Sequence, residues 1–97
     1  MEATGLFVDG SERPASSGAT HRVVDPATGE PWLEVALAGA DDVDAAVAAA
    51  RRALPGWARR PVPERAAVLR RAAALARERH GALVAAECRD VGKPVTD

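Results

Sequence analysis

The stretch Val23-Val24-Asp25-Pro26-Ala27-Thr28-Gly29-Glu30 constrains the fold more than any other. Val23 and Val24 are β-branched and favour an extended backbone. Pro26 sets φ for the second position of a turn and drives Asp25 out of the helical region. The Asp25 carboxylate can accept hydrogen bonds from amides just downstream, and Gly29 tolerates positive φ. Glu30 to Leu37 then offers a second extended run. Eight residues thus read as strand, turn and strand start, dividing a β-type first third from a helical remainder.

Leu6-Phe7-Val8 is a further strand, Asp9-Gly10 a hairpin turn, and Ser11-Glu12-Arg13 the return before Pro14 ends the pairing. Ala15 to Thr20 reads as a loop. A first helix starts at Gly39 or Ala40, with Asp41 and Asp42 favouring the positive end of its dipole. Val43, Ala46, Val47, Ala50 and Leu54 recur at helical spacing, and Pro55-Gly56 marks a stop. Trp57 is then expected in a short connection ending at Pro61. A second helix from Pro63 carries the stripe Val68, Leu69, Ala72, Leu75 and Ala76, and a break is expected at His80-Gly81. A third helix from Ala82 presents Val84, Cys88 and Val91 on one face and stops at Gly92-Lys93-Pro94. The predicted class is α+β: short antiparallel strands and hairpins over about 6–37, then helices over about 40–54, 63–79 and 82–91.

Of 97 residues, 23 are alanine, while leucine, valine and phenylalanine together number 19 and isoleucine is absent. Alanine forms helices well but buries little area, and a buried CH₂ contributes only about 0.8 kcal/mol. Such helices need a further surface to lie on. A net charge of −1 argues against dominant electrostatic binding to nucleic acid or to acidic membranes. One cysteine excludes an internal disulfide and suits a reducing compartment. No signal-peptide pattern and no run of about 20 apolar residues is visible, so a cytoplasmic location is expected.

Several local patterns resemble the amino-terminal segment of the aldehyde dehydrogenase superfamily. Leu6 to Gly10 resembles its opening "(Y/F)(I/V)(D/N)G" strand, and Val24 to Glu30 its "(V/I)NPATGE" turn with Asp for Asn. Ala40 to Val47 resembles "(A/S)EDVDAAV", Glu64 to Arg71 "ERAAILRR", and Glu87 to Pro94 "ETLDTGKP"; Trp57 matches a habitual tryptophan after the first helix. The six occur in family order and span residues 6–94, about the first fifth of a family member. The resemblance implies an α/β parent fold and a homo-oligomeric parent enzyme. That enzyme oxidises an aldehyde to an acid with NAD or NADP, through a cysteine nucleophile and a water-activating glutamate. Those groups and the cofactor-binding glycines have no counterpart in this segment. No catalytic or cofactor-binding residue is therefore assigned, no nicotinamide is expected to bind this chain, and activity alone is not expected.

The resemblance also implies a Na⁺ or K⁺ site formed by the backbone carbonyls of Val23 and Val24 and the carboxylate of Asp90. Cys88 aligns with the Thr of "ETLDTGKP", not with the catalytic loop, and reads as a small packed side chain. Lys93 reads as a cation at a helix C-terminus, while His21 and His80 lack metal-ligand spacing. Glu87 reads as a surface carboxylate, and Trp32 and Trp57 as packing anchors whose indole N–H groups find backbone acceptors. Arg89 stands where the motif carries an apolar Leu, which calls into question how the third helix docks. The partner implied is the remainder of an aldehyde dehydrogenase. Two other readings stay open: a stand-alone, self-associating structural protein with paired Ala-rich faces, and a binding module using the arginines of the second helix. The latter lacks interleaved aromatic residues for base stacking.

Overall fold

A computed structural model describes residues 1–96 as two small sheets followed by three helices. The strands are β1 (Glu2–Thr4), β2 (Leu6–Val8), β3 (Ser11–Arg13), β4 (Thr20–Val24) and β5 (Pro31–Ala36). The helices are α1 (Ala40–Arg59), α2 (Val62–Glu78) and α3 (His80–Val91). β2 and β3 form the expected hairpin, and both turn residues take positive φ: Asp9 at 53° and Gly10 at 81°. That geometry matches the twist of a two-residue hairpin.

The second sheet has the order β1-β5-β4, with β4 antiparallel and β1 parallel to β5. The sequence reading missed β1 and expected antiparallel pairing only. Glu-Ala-Thr has no apolar alternation, and its partner lies some 30 residues downstream. Gly5 lets the chain pass from one sheet to the other. A Cβ there would stand 2.6 Å from the Arg13 carbonyl oxygen, and its own N–H donates to Glu12 Oε1 at 2.6 Å.

The Asp25–Glu30 turn forms as its residues dictate. The Ala27 N–H donates to Asp25 Oδ1 at 2.8 Å, and the Gly29 N–H to the Asp25 carbonyl at 2.8 Å. Gly29 sits at φ 74°, and the Asp25 N–H meets the Glu30 carbonyl at 2.9 Å, closing the β4–β5 connection.

α1 begins after Gly39 as expected, but Pro55 does not end it. Proline's φ suits a helix; what it costs is one backbone bond and a clash with the preceding turn. Residues 50–60 are all exposed, so water can satisfy the carbonyl that Pro55 leaves unbonded. The helix ends instead at Arg59, and the cap residue Arg60 has the extended backbone (φ −64°, ψ 140°) that a residue before proline prefers. Trp57 therefore lies within α1, not in a connection. The break between α2 and α3 is a kink at the single residue Arg79 (φ −98°, ψ 15°), so His80 and Gly81 belong to α3.

The helix faces also depart from expectation. Val43, Val47 and Leu54 are 53%, 44% and 59% exposed. The face of α1 turned inward is Asp42, Ala45, Ala46 and Ala49, which approaches β2. Val68 and Leu69 of α2 are likewise exposed, while Arg65, Ala66, Ala74 and Leu75 are half-buried. Among the described residues the buried apolar set is Val8, Ala15 and Ala49.

The fourth buried residue is charged. Asp42 accepts the Gly39 N–H at 2.9 Å and, with both carboxylate oxygens, the Ser16 N–H at 3.0 and 3.3 Å. These two backbone donors hold its carboxyl below the usual carboxylate range, with Arg13 adding a smaller attraction. Its stabilising effect is therefore complete above the ordinary carboxylate range and disappears as pH falls through the lowered folded value. Asp42→Asn should speed amide exchange at Ser16 and Gly39 at neutral pH. The parent's 14–18 loop should loosen as pH falls through the lowered Asp42 value and the mutant's should not, as read by hydrogen exchange across a pH series.

Candidate functional site

α3 lies against β4, and between them runs an open groove. Val23 and Asp90, two of the three residues singled out for a cation, both line it; Val24, the next residue of β4, does not. The register of β4 against β5 slips between Val23 and Val24: Val23 faces Leu33 and Val24 faces Pro31, leaving Trp32 as the extra residue of β5. Such a bulge interrupts the ladder locally and re-aims backbone and side chain.

Asp90 is exposed, and among the described residues no ion pair engages it. Glu87 lines the same groove one turn earlier on α3. It is exposed, as expected of a surface carboxylate, and stands three residues before Asp90 on the same side of the helix. The donor set is thus two carboxylates beside a strand-end backbone, all hard oxygen. Donors of this kind suit hard cations and not a thiophilic or imidazole-bound metal. Among the described residues no group of three His, Cys, Asp or Glu side chains stands together as a metal cluster.

Two contacts position α3. Gly92 closes the helix at φ 75°, with its N–H on the Cys88 carbonyl at 2.9 Å, and a Cβ there would stand 3.0 Å from Pro26 Cγ. The Asp25–Glu30 turn and the end of α3 are therefore in direct contact. Secondly, the Arg89 guanidinium lies over the Trp32 ring, 5.1 Å from its centroid. The charge that replaces an apolar residue is accommodated by an aromatic face. The indole N–H of Trp32 is buried with no acceptor among the described residues, contrary to the expectation from sequence. Trp57 carries Arg60 over its ring at 5.8 Å. Cys88 is half-buried, in line with a packed side chain.

This order of strands and helices is that of one enzyme class. A family model described as the aldehyde dehydrogenase family matches residues 13–97. An aldehyde dehydrogenase from Bacillus cereus is 35% identical, with a TM-score of 0.94 over 98% of this chain and 20% of its own. PnpE in complex with nicotinamide adenine dinucleotide is 37% identical, with a TM-score of 0.91 over 95% of this chain and 19% of its own. An NAD-dependent aldehyde dehydrogenase from Sinorhizobium meliloti is 36% identical, with a TM-score of 0.92 over 98% of this chain and 20% of its own. The chain belongs to the aldehyde dehydrogenase family and corresponds to its amino-terminal segment. It spans about a fifth of the length of the solved relatives it matches.

Because Gly92 combines a left-handed backbone with contact to Pro26, Gly92→Ala should cost about 1–2 kcal/mol from the backbone alone. The contact adds to that figure. The measurement is the loss of α3 helicity by circular dichroism in mild denaturant, against Gly81→Ala, where a Cβ meets open space.

Proposed function

We propose that this chain serves as the amino-terminal segment of an NAD- or NADP-dependent aldehyde dehydrogenase that oxidises an aldehyde to a carboxylic acid. In that reading it supplies scaffold, while the nucleophile, the water-activating carboxylate and the cofactor fold come from the remainder of the enzyme. A homo-oligomer, as the family resemblance implies, is the setting we assign, and the cytoplasm is the compartment we assign to it.

The observation that carries the reading is how little this chain encloses. Its radius of gyration is 16.9 Å and its extents are 48 × 37 × 16 Å. A compact domain of about 100 residues has a radius near 13 Å. Val43, Leu54, Leu69 and Leu83 are each more than half exposed, and no side chain of α2 or α3 is buried. Helices arranged in this way have apolar faces turned toward something larger. A self-associating structural protein would cover those faces with copies of itself, whereas the family match supports the enzyme remainder.

The purified chain mixed with an aldehyde panel and either NAD or NADP should give no reduced nicotinamide by absorbance, and should melt broadly. Turnover by the chain alone, or a sharp melt as a monomer, would overturn the reading.

We further propose that Asp90, with Glu87 and Val23 lining the same groove, holds Na⁺ or K⁺; Val24, outside the groove, is left out of the site. Ligand linkage at ten times the dissociation constant is worth about 1.4 kcal/mol. Sodium or potassium chloride should therefore raise the denaturation midpoint above equimolar choline chloride. Asp90→Asn should abolish that excess; an excess unchanged in the mutant removes the assignment.

A further inference from the structure

We propose that Arg89 is a positioning residue: by lying across Trp32 it seats α3 on the sheet. Apart from the contact of Gly92 with Pro26 at its end, α3 has little else to seat it. None of its side chains is buried, and only Val84 and Cys88 reach half-burial. Apolar area therefore supplies little of the docking energy, and a directional contact has a correspondingly larger share.

The contact has the required geometry. The guanidinium stands 5.1 Å from the ring centroid, inside the roughly 6 Å over which a cation is attracted to an indole face. The Trp32 ring is fixed from its own side as well. Trp32 is the extra residue of β5 where the β4–β5 register slips, and it is half-buried. Its indole N–H is shut away from solvent with no acceptor among the described residues, a cost that phenylalanine would avoid. Tryptophan's stronger ring quadrupole is the compensating property, and the cation that uses it is Arg89.

The neighbouring Asp90 offers an alternative partner that the guanidinium does not take, since among the described residues no ion pair joins them. Successive helix residues point in different directions, so Arg89 can turn to the sheet while Asp90 lines the groove. The stack thus fixes the rotation of α3 about its axis. It stands whether or not a cation sits at Asp90.

The test uses the 97-residue chain with Trp57→Phe, so that fluorescence reports Trp32 alone. Arg89→Gln should raise the acrylamide quenching constant by about twofold or more through loss of the stacked cation. Arg89→Lys should preserve most of the protection, and Arg89→Leu should not. An unchanged constant in Arg89→Gln overturns the proposal. So does full protection in Arg89→Leu, which would make the contact merely apolar. A parent chain in which Trp32 is as accessible as in denaturant overturns it too.

Discussion

Asp42 makes the connection on which the first half of the molecule depends. A carboxylate at the third position of a helix ordinarily satisfies an amide at the helix start, and Asp42 does so at Gly39. Its second acceptance, from Ser16, reaches 26 residues back and fastens the loop after the β2–β3 hairpin to α1. Val8, Ala15 and Ala49 are the buried apolar residues, Ala15 next to Ser16 in the chain and Ala49 on the same face of α1 as Asp42. The charge is tolerable there because two backbone donors point at it. Arg52 and Asp9, 4.0 Å apart on the same face, are both largely exposed and add little.

The parts of the fold legible in the sequence were the local ones. Asp25, Pro26 and Gly29 announce their turn because its hydrogen bonds close within six residues. Asp9-Gly10 announces a hairpin for the same reason. β1 was invisible because a three-residue parallel strand draws its definition from a partner far along the chain. Helix existence was readable, but helix orientation was not. Periodic large residues normally mark the buried face, yet in α1 the alanine face packs and the valines point out, since close approach to the hairpin favours small side chains. Pro55 misled in another way: the rule that proline stops a helix assumes that the lost bond matters, and on a fully exposed turn it matters less.

At the groove, sequence alone suggested neither the Glu87–Asp90 pair nor the Arg89–Trp32 stack. The joint placement of Val23 and Asp90 followed from family resemblance, and the groove brings those two together without Val24. The contact of Pro26 with Gly92 explains how that placement arises. The turn dividing strands from helices is also the surface on which the last helix ends. Two motifs some 65 residues apart are thereby mechanically one.

α2 is the longer of the two helices without a buried side chain. It is 17 residues long, buries no side chain, and stands near the length at which an isolated helix is marginal in water. Its support within the chain is slight: alanine propensity, the half-burial of Arg65, Ala66, Ala74 and Leu75, the Arg71–Glu78 pair at 3.6 Å and, from Arg60 just ahead of the helix, the Arg60–Glu64 pair at 3.4 Å. Both pairs are solvent-exposed and screened by salt. Within the described residues α2 is thus weakly anchored, and a surface laid over Val68 and Leu69 would add the support that its exposed ion pairs do not supply.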